Sequence, residues 1–135
     1  MDAAQALADL LELSPEVEAA ALFRRGDTLG HAGVDDDTVG LIVGAAGQLL
    51  DGAGELRSDG TRVTQVRAAL GDGCFFVVRE PEGDRAAVAV TTSRATPGLV
   101  FYDLKRALAA TAGEAEPKPR RRRTKQAEEE PGDAS

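Results

Sequence analysis

Apolar residues recur at helical spacing in three stretches of the chain. The first covers residues 2–13, where Asp2 can cap the helix and Pro15 disfavours helical geometry at the residue before it. The second covers residues 36–50 and follows an acidic run that suits a helix N-terminus, and the third runs from Pro97 to residue 110. The spacing predicts amphipathic helices with these buried positions: Leu7, Leu10 and Leu11; Val39, Val43, Ala46 and Leu50, joined by Ile42 and Leu49; and Val100, Leu104, Ala107 and Leu108.

Five shorter stretches have the composition of β-strands joined by tight turns. The fourth stretch is apolar on both faces, so we expect it in the middle of a sheet that is covered on both sides. The third carries Gln65 and Arg67 on one face, which predicts an edge strand whose N–H and C=O groups are open to another chain. The predicted element order is therefore α-β-β-α-β-β-β-α. The strands cover residues 18–25, 28–33, 63–70, 74–79 and 85–92.

Composition changes this picture mainly at the C-terminus. Residues 1–113 carry 10 Lys and Arg against 17 Asp and Glu, whereas residues 114–135 carry six of each and no large apolar residue. We therefore expect one globular domain over residues 1–113 and a disordered tail over residues 114–135. Because no apolar run is long enough to span a membrane and the N-terminus is acidic, a soluble, unprocessed cytoplasmic protein is expected. The abundance of Arg, Ala and Gly suggests a bacterial source.

A basic run in the tail has two interpretations. It can act as a solubilising segment, or it can contact nucleic acid, an anionic membrane surface or an acidic partner. The acidic domain repels nucleic acid and anionic membranes, so such binding is expected only through the tail. The candidate contact residues are Lys118, Arg120, Arg121, Arg122, Arg123 and Lys125.

Residue types that carry chemistry are sparse. Cys74, the single cysteine, opens an apolar strand and is interpreted as a buried structural thiol in a reducing compartment. His31 has no second ligand at metal spacing and is interpreted as a surface or edge-strand imidazole. Residues 35–37 lack the pattern of a calcium loop and are interpreted as a helix cap. Without a Ser/His/Asp set, paired carboxylates or a phosphate loop, we expect no enzyme activity, cofactor, metal or small-molecule substrate.

Three glycines form a line on the second predicted helix. Gly40, Gly44 and Gly47 each cost about 1 kcal/mol relative to Ala inside a helix, so the line calls for a reason. Their order lacks the G-x-G-x-x-G pattern of dinucleotide sites and falls within a helix rather than at a strand-to-helix turn. Two interpretations stay open: close packing on the sheet, or a partner helix that approaches backbone to backbone.

Together these elements resemble the roadblock/dynein light-chain family, specifically its bacterial, actinobacterial-like members. The resemblance is carried by VEAAALFRRGDTLGHAG after the first helix, by the Gly- and Ala-rich VGLIVGAAGQLLDGAG, and by three strands that lead to TPGLVFYDLKRALAA. It implies an α+β sandwich with a five-stranded antiparallel sheet. The second helix would lie on one face, and the first and last helices on the other, as in longin and profilin-like folds.

The resemblance also implies a function. Roadblock domains usually form homodimers that pair their third strands with the second helices beside them, and they bind small Ras-like GTPases as regulators or scaffolds. Arg24 and Arg25 are interpreted as a solvated strand end, so any effect on hydrolysis is expected to come from reshaping the GTPase. The alternative function is an adaptor that binds nucleic acid or an anionic membrane surface through the polybasic tail. The implied dimer interface comprises Gly40, Val43, Gly44, Gly47, Thr64, Val66 and Ala68.

Overall fold

The computed structural model describes residues 2–56, 59–60 and 62–112. Its eight elements follow the predicted order, but α2 is longer than predicted because Gly52, Ala53 and Gly54 continue its last turn. Glycine is common where a helix ends, but a glycine can also adopt helical geometry, so Gly52 does not end α2. The third strand is shorter than predicted because only five of its residues pair with the fourth. The elements are α1 (Ala3–Leu13), β1 (Val17–Arg24), β2 (Asp27–Ala32), α2 (Asp36–Gly54), β3 (Gln65–Ala69), β4 (Gly73–Arg79), β5 (Arg85–Thr92) and α3 (Pro97–Ala110).

The five strands form one antiparallel sheet in the order β2-β1-β5-β4-β3. β4 lies between β3 and β5, and β3 lies at an edge, which confirms both predictions. β2 forms the opposite edge, where its pairing with β1 passes from Gly30 to Thr28 and skips Leu29. This extra residue is a β-bulge, so the β2 edge is interrupted whereas the β3 edge is regular.

Side chains that alternate across the sheet build two hydrophobic clusters. One cluster joins α1 and α3 to the sheet and includes Cys74, which is buried as predicted. The other joins α2 to the opposite face, and this layering confirms the implied sandwich. α1 approaches β2 closely because Gly30 has no side chain there: a Cβ on Gly30 would lie 2.6 Å from the Cβ of Ala3.

Aspartate side chains cap the first two helices. The Asp2 carboxylate accepts a hydrogen bond from the Gln5 N–H at 2.8 Å, and the Asp35 carboxylate accepts one from the Thr38 N–H at 2.7 Å. Each bond satisfies an N–H group that has no partner within its helix. The bond from Thr38 is also the main reason why the pKa of Asp35 is lowered from its ordinary value.

The Asp35 cap predicts a pH-dependent contribution to stability. Because its pKa is lower in the folded than in the unfolded chain, the charged cap stabilises the fold above the ordinary carboxyl pKa. That contribution is lost as the pH falls through the lowered folded value. The variant Asp35→Asn keeps a capping oxygen without a titrating charge, so its deficit relative to wild type should shrink in acid. Thermal unfolding of both proteins from neutral pH to about pH 2 measures this, and a constant deficit contradicts the prediction.

A buried arginine joins the sheet to the end of α3. The Arg85 side chain is 1% exposed, and its Nη2 donates to Glu80 Oε2 at 2.9 Å and to the Leu108 carbonyl at 2.8 Å. Its Nη1 donates to Thr111 Oγ1 at 2.9 Å. The guanidinium thereby satisfies carbonyl and hydroxyl groups at a helix C-terminus, where main-chain acceptors lack helical partners. Nothing in the sequence pattern predicted this network.

Candidate partner-binding site

The outer edge of β3 exposes main-chain hydrogen-bonding groups. On the inner side, the Thr64 carbonyl accepts from the Arg79 N–H, and the Leu70 N–H donates to the Gly73 carbonyl, both at 2.8 Å. Because main-chain groups alternate in direction along an antiparallel strand, the N–H and C=O groups of Gln65, Arg67 and Ala69 point away from the sheet. No strand in the described part of the chain pairs with them. This open edge is therefore a template for another strand.

The β3 side chains predicted for the dimer interface lie on the α2 face of the sheet. Val66 and Ala68 are partly buried against the cluster that α2 covers, and Thr64 is half-buried just before the strand begins. Gln65 and Arg67 are exposed on the other face. A strand added at this edge would thus extend a sheet whose α2 face is apolar here and whose other face is polar.

The predicted α2 residues divide into two groups. Gly40, Gly44 and Gly47 form an open line, because a Cβ added at any of them would meet no atom within 4 Å. The interpretation that this line packs on the sheet is therefore wrong. Val43 is 3% exposed in the α2 cluster, so its side chain is occupied within the protomer rather than available to a partner.

The glycine line and the pair Ile42 and Leu49 lie on opposite flanks of the buried stripe of α2. At about 100° per residue, the three glycines occupy an arc of about 60° on one flank of the buried stripe. Ile42 and Leu49 lie on the opposite flank, about 180° away. Gly47 borders a groove at the end of the sheet that holds the β1–β2 and β4–β5 turns, so the glycine flank faces that end. Whether the glycines contact a second copy stays a prediction.

This groove has an apolar floor and a charged rim, and we call it the arginine groove. The rim is held in place by hydrogen bonds to main-chain carbonyls. Arg79 donates from Nε and Nη2 to the Val63 carbonyl at 3.1 and 2.6 Å, and Arg62 donates from the same atoms to the Glu80 carbonyl at 3.2 and 3.1 Å. The residues lining it are Phe23, Arg25, Gly47, Leu50, Asp51, Arg62, Arg79, Asp84 and Ala86.

The charges of the groove are unevenly paired. Arg25 Nη2 lies 2.9 Å from Asp84 Oδ2, and Arg24 Nε lies 3.6 Å from Asp84 Oδ1. Both arginines at the end of β1 therefore form ion pairs with this carboxylate. Burial lowers the pKa of Arg79, the neighbouring Arg62 lowers it further, and Asp51 opposes both effects. Arg79 nevertheless stays charged, since guanidinium groups do not deprotonate in proteins. The groove therefore holds two adjacent cations that are anchored by uncharged carbonyl groups.

The remaining candidate residues have structural roles. His31 lies on edge strand β2, as predicted, where Nε2 is 2.9 Å from Asp36 Oδ1 and Nδ1 is 3.1 Å from the Val34 carbonyl. Within the described ranges, no three His, Cys, Asp or Glu side chains are grouped to hold a metal ion. None of the described helices is both long and apolar enough to cross a membrane.

The predicted tail contacts lie outside the described residues. Arg62 and Arg79 were missed by sequence reasoning, because nothing local marks two arginines that meet only after β3 and β4 have paired. The nearest sequence signal was the alternation of polar and apolar residues along β3. It correctly placed β3 at an edge of the sheet, but it did not indicate the two arginines.

No protein-family model matches the chain, and no curated protein matches it. Solved structures do. A roadblock/LC7 domain from Streptomyces avermitilis superposes with a TM-score of 0.75 at 19% identity, over 84% of this chain and 98% of that chain. Myxococcus xanthus MglB superposes with a TM-score of 0.65 at 15% identity, over 87% of this chain and 92% of that chain. Profilin II of Acanthamoeba castellanii superposes with a TM-score of 0.56 at 16% identity, over 84% of this chain and 98% of that chain. The chain thus has the roadblock fold, which is also profilin-like.

Proposed function

We propose that this chain, which has the roadblock fold, is a non-enzymatic homodimeric regulator or scaffold for a small Ras-like GTPase. The observation that carries the proposal is the open β3 edge, with its outward main-chain groups beside the partly buried Val66 and Ala68. An edge of this kind binds protein in preference to small molecules, because its recognition elements are strand hydrogen bonds and a continuous surface.

Two copies can pair through this edge. Antiparallel pairing of β3 with its counterpart about a two-fold axis would join the two sheets and satisfy the outward groups of Gln65, Arg67 and Ala69 in both copies. The same pairing would bring the α2 layers of the two copies onto one face. In this proposal Thr64, Val66 and Ala68 lie at the centre of the dimer. Gly40, Gly44 and Gly47 remain available for contact with a partner.

The GTPase partner is inferred from the roadblock resemblance. The described residues support a role without chemistry, since Cys74 is buried and His31 is held by Asp36 and the Val34 carbonyl. We therefore expect any change in nucleotide turnover to arise from ordering or displacing the switch segments of the GTPase. We also place the protein in the bacterial cytoplasm, and treat residues 1–113 as its roadblock domain.

Affinity capture from host lysate tests the partner. The full chain is immobilised and incubated with lysate that contains either GDP or a non-hydrolysable GTP analogue, and bound proteins are identified by mass spectrometry. We expect a small GTPase to be retained preferentially in one nucleotide state, because its switch segments differ between the two states.

A matched variant distinguishes the alternative function. In the full chain, Arg120, Arg121, Arg122 and Arg123 are replaced by Gln. Retention of the GTPase by this variant supports the regulator. Recovery of nucleic acid or membrane components alone, lost in the variant and at raised salt, contradicts it in favour of the tail adaptor.

A further inference from the structure

The arginine groove combines features of a protein-binding site. Its floor is apolar, formed by Phe23, Leu50 and Ala86, all of which are buried. On the α2 side the groove is lined by Leu50, Asp51 and Gly47, and the helix main chain is open at Gly47, because an added Cβ there would meet no atom within 4 Å. A ligand can therefore approach the helix backbone and cover the floor at the same time.

The charge of the groove contrasts with that of the chain. Three arginines and two aspartates line it, on a protein whose formal net charge is −7. Arg25 is paired with Asp84, and Asp51 acts electrostatically on Arg79, so the lining residues keep an excess of one positive charge. Arg62 and Arg79 also donate to main-chain carbonyls, which orient the guanidinium groups without neutralising them. Two oriented guanidiniums beside an apolar floor favour a carboxylate, since charge-assisted hydrogen bonds strengthen where water is excluded.

We propose that the arginine groove binds an acidic segment of the partner protein, whose carboxylates pair with Arg62 and Arg79. The inference rests on the proposed function for the existence of a protein partner, and it adds the chemistry of the segment that is recognised. A segment suits the site better than an isolated anion, because the open glycine line runs along α2 from Gly47, which lines the groove. From Gly47 to Gly40 that line leaves about 10 Å of helix backbone uncovered.

A synthetic peptide tests the groove without any GTPase. The probe is a short fluorescein-labelled peptide in which Glu and Asp flank a central Leu, and the control peptide carries Gln and Asn instead. Binding to the full chain is followed by fluorescence polarisation at low salt. We expect the acidic peptide to bind and the neutral peptide not to bind, because pairing with fixed guanidiniums requires charge.

Matched variants locate the binding. Gly47→Asp places a negative charge in the groove, and Gly52→Asp makes the same change at another open position of α2 that does not line the groove. We expect Gly47→Asp and Arg62→Gln to weaken binding about tenfold, whereas Gly52→Asp stays within about twofold of wild type. Circular dichroism confirms that each variant is folded. Equal affinities for all four proteins overturn the inference.

Other occupants give different results. Loss of peptide binding when Arg120, Arg121, Arg122 and Arg123 are changed to Gln assigns the peptide to the tail and overturns the inference. About tenfold tighter binding after Glu114, Glu116, Glu128, Glu129 and Glu130 are changed to Gln identifies the chain's own tail as the occupant and also overturns it. If calorimetry shows that inorganic phosphate binds and the peptide does not bind, the inference is also overturned, because the site then holds small anions. If the peptide binds as expected and no GTPase is captured, the inference that the groove binds an acidic segment is supported, whereas the proposed function is contradicted.

Discussion

The variant Arg85→Met is expected to lose about 3 kcal/mol of unfolding free energy, a large part of the stability of a domain of this size. Methionine preserves much of the volume of the arginine stem but none of its donors. The Glu80 carboxylate then loses the guanidinium that faces it, and the Leu108 carbonyl and the Thr111 hydroxyl each lose one buried donor. The Leu108 carbonyl still accepts from the Thr111 hydroxyl at 3.1 Å, so most of the loss comes from the part-buried Glu80 carboxylate, which no longer faces a cation, and from the donor missing at Thr111 Oγ1. Urea unfolding followed by circular dichroism measures the loss.

Arg94→Met is the matched control for this experiment. Arg94 is exposed in the loop after β5, so the same chemical change should alter the unfolding free energy by less than about 0.5 kcal/mol. Similar losses in the two variants would mean that the buried network contributes nothing specific. A loss confined to Arg85→Met would establish that the contact between β5 and the end of α3 stabilises the domain.

The variant Arg67→Pro is expected to weaken the dimer on the order of a hundredfold. Proline removes an outward N–H at the middle of the β3 edge, and the two-fold axis makes the change count twice. Two lost strand hydrogen bonds, each of about 1 kcal/mol net, together with the steric effect of the ring, account for this magnitude. Sedimentation equilibrium over a range of concentrations measures the dissociation constant.

Arg67→Thr separates the main-chain effect from the side-chain effect. It removes the same exposed charge, keeps the N–H and suits a strand, so its dissociation constant should stay close to that of wild type. The protomer should tolerate Arg67→Pro because edge strands accept proline where the N–H faces solvent. A folded Arg67→Pro protein that dimerises like wild type would exclude the β3 edge as the interface, and a monomeric wild type would contradict the dimer itself.

The order of elements and the positions of β3 and β4 in the sheet could be predicted because both depend on local patterns. Helical spacing of apolar residues identified the three helices, and the two apolar faces of residues 74–79 placed β4 in the interior. Asp35 was predicted as part of a cap for the same reason, since its hydrogen bond to Thr38 spans three residues. Predictions of this kind need no knowledge of how distant segments meet.

The charged networks could not be predicted, because they join residues that are far apart in sequence. Arg85 contacts Leu108 and Thr111, more than twenty positions away, and Arg62 contacts the carbonyl of Glu80, 18 positions away. Such contacts exist only after the sheet has formed. A single arginine in the sequence does not indicate whether it will be buried, anchored to the main chain or free in solvent.

The glycine line shows an intermediate case. Its helical spacing was evident from the sequence, and its cost indicated that a neighbour comes close. The sequence did not show which neighbour, because that depends on how α2 is rotated on the sheet. Once Val43 and its stripe are buried, Gly40, Gly44 and Gly47 must face outward, and packing on the sheet is excluded.

The bulge at Leu29 has a consequence for the size of the assembly. If two copies join through β3 as proposed, the outermost strands of the shared sheet would be the two β2 strands, and each is interrupted opposite Leu22 and Phe23. A bulged, strongly twisted strand is a poor template for further strand addition. In that arrangement we expect growth by edge pairing to stop after one step. The two unlike edges of the sheet favour a closed pair and oppose a fibre.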